Sequence, residues 1–415
     1  MNNMNILSAL PNMQTGSELR TALSVLPEYH EDIRNENAAV RLTALLDIYN
    51  IYLPSSMSVE IYSKLYLALL RSLQKKTTKT AILQQNLNYR AIQQQSCNGI
   101  IGGSDSFTII GTSGIGKSSA INRAIGLLTV NGIIETSEPY RKIIPCVIVQ
   151  CPFDSSVKGL LLEILRNVDE AIGSNYYKSA SKVRVTTDML IGSVSQVAIN
   201  HIGLLVVDEI QNVVNSKHGS SLVAMLTQLI NNSGISICMV GTSESSTFFE
   251  QAIQLARRSL GLQYGALIYD DYFYDFCHTV FSYQYTRNKT EITDSIVEWL
   301  YEHSGGIVSV VISLIHDAQE IAILTGSERL DIDTLNEAYK KRLSFLHGYI
   351  EPSIQQGKQT TTNKSKGVAP IDTLSKIVEK QVDRSISEIV AESKSTNTDI
   401  VILLREYMTV EEVSV

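Results

Sequence analysis

The chain carries two hydrophobic rhythms. Between Phe107 and Val240 four short apolar runs recur: Phe107–Ile110, Lys142–Gln150 (KIIPCVIVQ), Gly203–Val207 and Ile235–Val240 (ISICMV). The second is β-rich and nearly continuous in apolar residues, as in a strand of a sheet buried on both faces. Pro145 inside it suggests that this strand begins after the proline. Stretches with helical spacing separate the runs: Ser118–Leu128, a helix capped by Ser155/Ser156 through Val168, and Thr187 to about Asn200. A helix from about Thr247 to Leu260 follows the fourth run. This alternation predicts an α/β fold with a parallel sheet.

The flanks follow the helical rhythm. Ala38–Tyr49 and Val59–Leu73 have apolar residues at helical spacing, and the Leu53-Pro54-Ser55-Ser56 break between them supplies an N-cap. After the sheet, Asp275–Thr286, Glu291–Glu302, Val308–Leu324 and Asp331–Leu346 read as four helices, a small lid. Ser353–Ala369 is rich in Ser, Thr, Gln and Lys and reads as a linker. Two short amphipathic segments follow, Ile371–Ile389 and Thr398–Tyr407. They are either a docking peptide for a partner or a helix packed back on the body. The expected division is 1–104 N-terminal helical region with partner or DNA contacts, 105–271 α/β core, 272–350 lid, and 351–415 linker and docking tail.

Composition narrows the class. The 415 residues are 44% hydrophobic, enough for a sizeable core, and carry a formal net charge of −7. The chain as a whole is therefore no basic nucleic-acid binder, and any DNA contact must come from a local patch. One such stretch exists. From Ile61 to Ser104 there is no acidic residue, against Lys64, Arg71, Lys75, Lys76, Lys79 and Arg90. It is either a solvated face or a contact for DNA phosphates or an acidic partner. Cys97, Cys146, Cys151, Cys238 and Cys277 form no CxxC pair, which points to reduced thiols. The opening residues lack a signal-peptide pattern, and no apolar run approaches a bilayer span. A cytoplasmic location without membrane contact is expected.

The chemistry is concentrated in FTIIGTSGIGKSS. An apolar strand ends in a glycine-rich turn that opens a helix, with P-loop spacing from Gly111 to Gly116, Lys117 and Ser118. Gly111, Thr112, Ser113, Gly114, Ile115, Gly116, Lys117, Ser118 and Ser119 are the expected nucleotide cradle. Backbone N–H groups and the helix N-terminus favour an anion there. Lys117 is expected to reach the β/γ-phosphates and Ser118 to bind Mg²⁺. About ninety residues on, four apolar residues end in Asp208-Glu209, the Walker B arrangement. Asp208 is expected to order Mg²⁺ through water and Glu209 to polarise the attacking water. Thr242, after the fourth run, is a sensor of the γ-phosphate or part of a plain turn. Arg257 and Arg258 are either a helix-end dipole pairing or a finger toward a neighbouring subunit's nucleotide.

In order and spacing, GTSGIGKSSAINRAI, VIVQCPFDSSVKGLLLEIL, LLVVDEIQNV and MVGTSES…QLARR resemble the AAA+ ATPase regulators of DNA transposition of the TnsC/TniB type. The DEIQ continuation of Walker B is the most particular of these, and the resemblance spans roughly Ser104–Leu346. It implies an AAA+ fold, with a five-stranded parallel core and a helical lid. It implies ATP and Mg²⁺ as cofactors, and self-assembly into rings or helical filaments on double-stranded DNA. It implies a link between a target-selection protein and transposase subunits in a bacterial cell. It favours Arg257 or Arg258 as the trans-acting finger. It also draws attention to Lys158, Lys178, Lys182 and Arg184 as DNA contacts. One departure is plain: Gly305-Gly306 is followed by Ile307, Val308, Ser309 and Val310, with no sensor 2 arginine. That fits a slow, regulatory ATPase better than a motor. The competing readings are a protein-facing P-loop switch (STAND-like signalling ATPase, helicase or clamp loader) and a non-catalytic nucleotide-binding scaffold.

Overall fold

The computed structural model describes residues 6–76, 78, 81, 83, 106–137, 140–181, 185–213, 219–245 and 260–343. The N-terminal part holds α1 (Gly16–Leu23), α2 (Ala38–Ala44) and α3 (Ser56–Lys76). The α/β part runs β1 (Phe107–Gly111), α4 (Lys117–Leu128), β2 (Ile134–Ser137), β3 (Tyr140–Gln150), α5 (Val157–Ile172), α6 (Tyr176–Ala180), α7 (Thr187–His201), β4 (Ile202–Asp208), α8 (Gly219–Ser233), β5 (Ser236–Gly241) and β6 (Leu260–Tyr264). The lid is α9 (Asp271–Ser282), α10 (Asp294–Ser304), α11 (Val308–Thr325) and α12 (Ile332–Ala338).

The sheet order is β2-β3-β4-β5-β1-β6. Five strands, β3 to β6 with β1 among them, pair parallel, and β2 adds an antiparallel edge. The fold is α/β with a mostly parallel sheet and a helical C-terminal region. Strand alternation divides the core. Leu205, Val207, Ile237 and Met239 face α5, α7 and α8, whereas Leu204, Val206, Cys238 and Val240 face α1, α3 and α4. A period of two on strands covered on both sides leaves no polar face, so the runs read as continuous.

Several boundaries differ from expectation for physical reasons. β3 begins at Tyr140, before Pro145. Its pairing with β2 ends at Ile143, so Pro145 lies just past it, where an edge tolerates a missing N–H. β6 opens at Leu260, where the sequence suggested the end of a helix; β1 supplies its register from Phe107↔Leu260 to Gly111↔Tyr264. The rest of the expected helix after Thr247, the linker and the two tail segments lie outside the described residues. α11, at 18 residues, is by length and composition apolar enough to cross a bilayer, contrary to expectation. It is a core helix: Val311, Leu314, Ile315, Ala318 and Ala322 are fully buried, and it carries His316, Asp317, Gln319 and Glu320.

The N-terminal residues split their allegiance. Leu19, Leu23, Ile61, Leu65 and Leu69 pack on the sheet, while Leu45, Ile48 and Ile51 join the lid cluster around Phe273, Phe276 and Leu300. The junction is the Leu53–Ser56 break, where the Ser55 N–H donates to Ser58 Oγ at 3.1 Å.

Within the basic stretch, Lys76 is neither a solvated charge nor exposed to phosphates. Its ammonium is buried and donates to the carbonyls of Ala198 (2.8 Å) and Ile199 (2.7 Å) at the C-terminus of α7. Burial first, then the nearby Arg141, pushes its pKa down to about 7. Lys76→Met should destabilise the fold by about 1–3 kcal/mol, because two buried carbonyls lose their donor. The sign with pH is set by a folded-state pKa below the unfolded one. The unfolded chain binds more protons between about pH 7 and 10.5, so wild-type stability gains on the variant's by on the order of 1 kcal/mol per pH unit there. Urea denaturation of both proteins at pH 7 and pH 9 reads this directly.

Candidate active site

β1 delivers the glycine-rich turn at the carboxyl edge of the sheet. Two of its glycines adopt the left-handed region, Gly114 with φ +80° and Gly116 with φ +92°. Gly116 is the N-cap of α4, and a residue with a Cβ would be strained there. Gly111 ends β1, and the Thr112 N–H donates to Tyr264 O of β6 at 3.2 Å, which anchors the turn's start. Ser113, Gly114, Gly116, Lys117, Ser118 and Ser119 line one cleft of about 400 Å³. Ile115 points away and is buried.

Lys117 Nζ donates to Gly111 O (2.8 Å) and Thr112 O (2.7 Å). Burial lowers its pKa, and Asp208 and Glu209 oppose that by favouring the cation. The strand order places β5 between the P-loop strand and the Walker B strand. Asp208 and Glu209 at the end of β4 and Thr242 after β5 line the same cleft as Lys117. Ser118 Oγ donates to Asp208 Oδ2 at 3.4 Å, and the Glu209 N–H donates to Asp208 Oδ1 at 2.8 Å. A hydroxyl and a carboxylate so close at an open cleft are hard oxygen donors that fit Mg²⁺ with water completing its shell. Thr242 Oγ1 is buried and makes no hydrogen bond to the described residues.

The cleft also contains residues the motifs did not announce. Tyr49, from the N-terminal part, lines it together with Val308, Ser309, Ile312 and Ser313 of α11. A smaller adjoining cavity of about 90 Å³ is walled by Tyr49, Ile51, Tyr52, Leu267, Tyr272 and Phe276. Ser55, Ser58 and Ser119 add hydroxyls to its otherwise apolar and aromatic wall, beside the glycine-rich turn. Only the break at Leu53–Ser56 hinted that these residues turn toward the core. The lid touches the P-loop without an arginine: the Ser309 N–H donates to Gly114 O at 3.0 Å. A side chain at Gly114 would collide with Ser309 Oγ, so this glycine also makes room for the lid.

Of the expected DNA contacts, Lys158 in the first turn of α5 and Lys178 in α6 are exposed. Lys182, Arg184, Arg257 and Arg258 lie outside the described residues.

Comparison with known proteins adds a family match over part of the chain. Residues 102–261 match the family model described as TniB, bacterial TniB protein. The matched segment covers most of the α/β part. It holds the P-loop, Asp208, Glu209 and Thr242, whereas Tyr49 and the lid lie outside it. No curated protein matches the chain. Among solved structures, the Aeropyrum pernix ORC1 protein in complex with DNA is similar at 15% identity and a TM-score of 0.42, over 63% of this chain and 64% of that one. The chain thus spans less than two thirds of that relative. Drosophila ORC bound to DNA is similar at 11% identity and a TM-score of 0.39, over 98% and 83% of the two chains. The Thermotoga maritima RuvB Holliday junction branch migration motor is similar at 13% identity and a TM-score of 0.36, over 84% of each.

Proposed function

We propose that the protein is an ATP-dependent, DNA-binding regulator of transposition. It assembles on double-stranded target DNA and links a target-selection protein to the transposase. The observation that carries this reading is the meeting of Lys117, Ser118, Asp208, Glu209 and Thr242 in one cleft, all within the segment that matches the TniB family model.

The residues divide the work as follows. The P-loop N–H groups and Lys117 hold the β/γ-phosphates of ATP. Ser118 and Asp208 hold Mg²⁺, which neutralises charge on the phosphates when bound. Glu209 takes the proton of the attacking water, and Thr242 reads the γ-phosphate through its unpartnered hydroxyl. Arg257 or Arg258 reaches a neighbour's nucleotide, so ATP favours the assembled ring or filament and hydrolysis loosens it. Lys158, Lys178, Lys182 and Arg184 meet DNA phosphates. With no arginine after Gly305-Gly306, the lid responds through Ser309 and turnover is slow. The site of action is the bacterial cytoplasm, on DNA.

The test combines purified protein, duplex DNA and a non-hydrolysable ATP analogue under negative-stain microscopy. Rings or filaments that require both ligands are the expected result. Affinity for DNA should be independent of sequence and fall steeply with added salt, since phosphate contacts release counterions. Monomers that bind nucleotide and ignore DNA would overturn the reading in favour of a protein-facing switch.

A further inference from the structure

Walker B continues as Ile210-Gln211-Asn212, and Gln211 has an unusual position. It sits in the 3-10 turn Ile210–Val213, directly after Glu209. Both polar ends of its side chain are engaged. Nε2 donates to Glu209 Oε2, and Oε1 accepts from the Thr242 N–H at 3.3 Å. One amide therefore spans from the Walker B carboxylate to the end of β5. A Cβ at Gly241 would meet Ser245 Oγ at 2.5 Å and Ile210 Cγ2 at 2.6 Å, and would crowd Gln211 Oε1 at 3.2 Å.

Glu209 needs such a partner. Its backbone is turned into the left-handed region, with φ +58°, and its N–H is taken by Asp208. Its side chain is exposed and reaches the cleft on rotatable bonds. A general base works only within hydrogen-bond reach of the proton it abstracts, so an unrestrained carboxylate loses rate through misplacement. A neutral amide suits this task. It donates to one carboxylate oxygen, leaves the other for water, and adds no charge that would neutralise the base.

We propose that Gln211 is a positioning residue that ties the Glu209 carboxylate to the Thr242 backbone, so that base and γ-phosphate sensor are held as one unit. The proposal rests on Glu209 being the base for ATP hydrolysis. It makes the aim of the carboxylate depend on β5, next to the P-loop strand, as well as on its own strand.

The test is steady-state ATP hydrolysis by the full chain with duplex DNA, alongside binding of a fluorescent ATP analogue and thermal melting. Gln211→Met removes both polar ends at similar size. Gln211→Glu keeps an acceptor for the Thr242 N–H and loses the donor to Glu209. Each should lower kcat by about tenfold or more, with KM and analogue affinity changed by less than about twofold and melting unchanged. Glu209→Gln in the same series separates the two ideas. If Glu209→Gln is inactive while either Gln211 variant turns over at the wild-type rate, positioning through Gln211 is overturned and the base assignment stands. Loss of affinity and melting temperature together with kcat would overturn it too, as a folding role only. If Glu209→Gln hydrolyses at the wild-type rate, the base assignment fails and the proposal falls with it.

Discussion

Glu209→Gln is expected to bind ATP as the wild type does and to hydrolyse it at least about 10²-fold more slowly, while Lys117→Ala loses both binding and hydrolysis. The two residues differ in what they touch. Lys117 lies inside the P-loop, donating to the carbonyls of Gly111 and Thr112, and supplies the positive charge of the cradle. Its removal is expected to take away phosphate binding itself. Glu209 stands across the cleft, with its N–H on Asp208 and its carboxylate on Gln211. The substitution keeps shape and one acceptor oxygen, and it removes the negative charge and the basic oxygen that would take a proton. Bound ATP would persist, so the variant should also hold the ATP-dependent assembly on DNA longer. Single-turnover hydrolysis and analogue titration check both halves. Wild-type turnover by Glu209→Gln would remove the catalytic assignment.

Glu328→Ala should destabilise the protein by about 3–5 kcal/mol, the cost of leaving a buried partner charge uncompensated. Arg41 is almost fully buried, and its Nη1 and Nη2 donate to Glu328 Oε2 and Oε1, both at 2.7 Å. Nη1 also donates to Tyr285 O at 2.9 Å, and Nε to Glu36 O at 3.1 Å. The pair joins the N-terminal segment to the lid across 287 residues of sequence. The hydrogen bond from Arg41, and further donors and charge from Arg287, hold the Glu328 carboxyl below its usual pKa. A depressed folded-state value means that the contribution is present above the unfolded pKa and lost as pH falls through the folded one. The deficit of the variant should therefore narrow below about pH 4. Glu328 also sits at φ +53°, so Glu328→Gly should lose about 1 kcal/mol less than Glu328→Ala by relieving the backbone. Urea unfolding of the two variants at pH 7 and about pH 3 tests the ion pair and the backbone separately. Equal stability of Glu328→Ala and wild type would show that the lid does not depend on this clamp.

The lid also meets the P-loop through its backbone. The α11 N-terminus reaches Gly114 directly, where the sequence only showed that a sensor 2 arginine is missing. An absent side chain is legible in a sequence, whereas a backbone hydrogen bond that takes its place is not. The same holds for Tyr49. Its periodicity marked it as one apolar position on an N-terminal helix, and packing of Leu45 and Ile48 into the lid cluster turns it into the cleft.

The sequence by itself determined the α/β alternation, the lid helices in outline, and the candidate site's P-loop, Walker B pair and Thr242. These are written in contiguous residues. A phosphate cradle needs glycines and a lysine at fixed offsets, and strands buried on both faces read as unbroken apolar runs. Only the tertiary structure decided the rest. β6 is short and contains a glycine, and its pairing with β1 supplies its register. The N-terminal segment divides between sheet and lid through partners distant in sequence, and Lys76 caps α7 and Arg41 meets Glu328 across more than one hundred residues. Such contacts leave no local period. The chemistry of each side chain is in the sequence, but its partner is chosen by where the packed layers bring it.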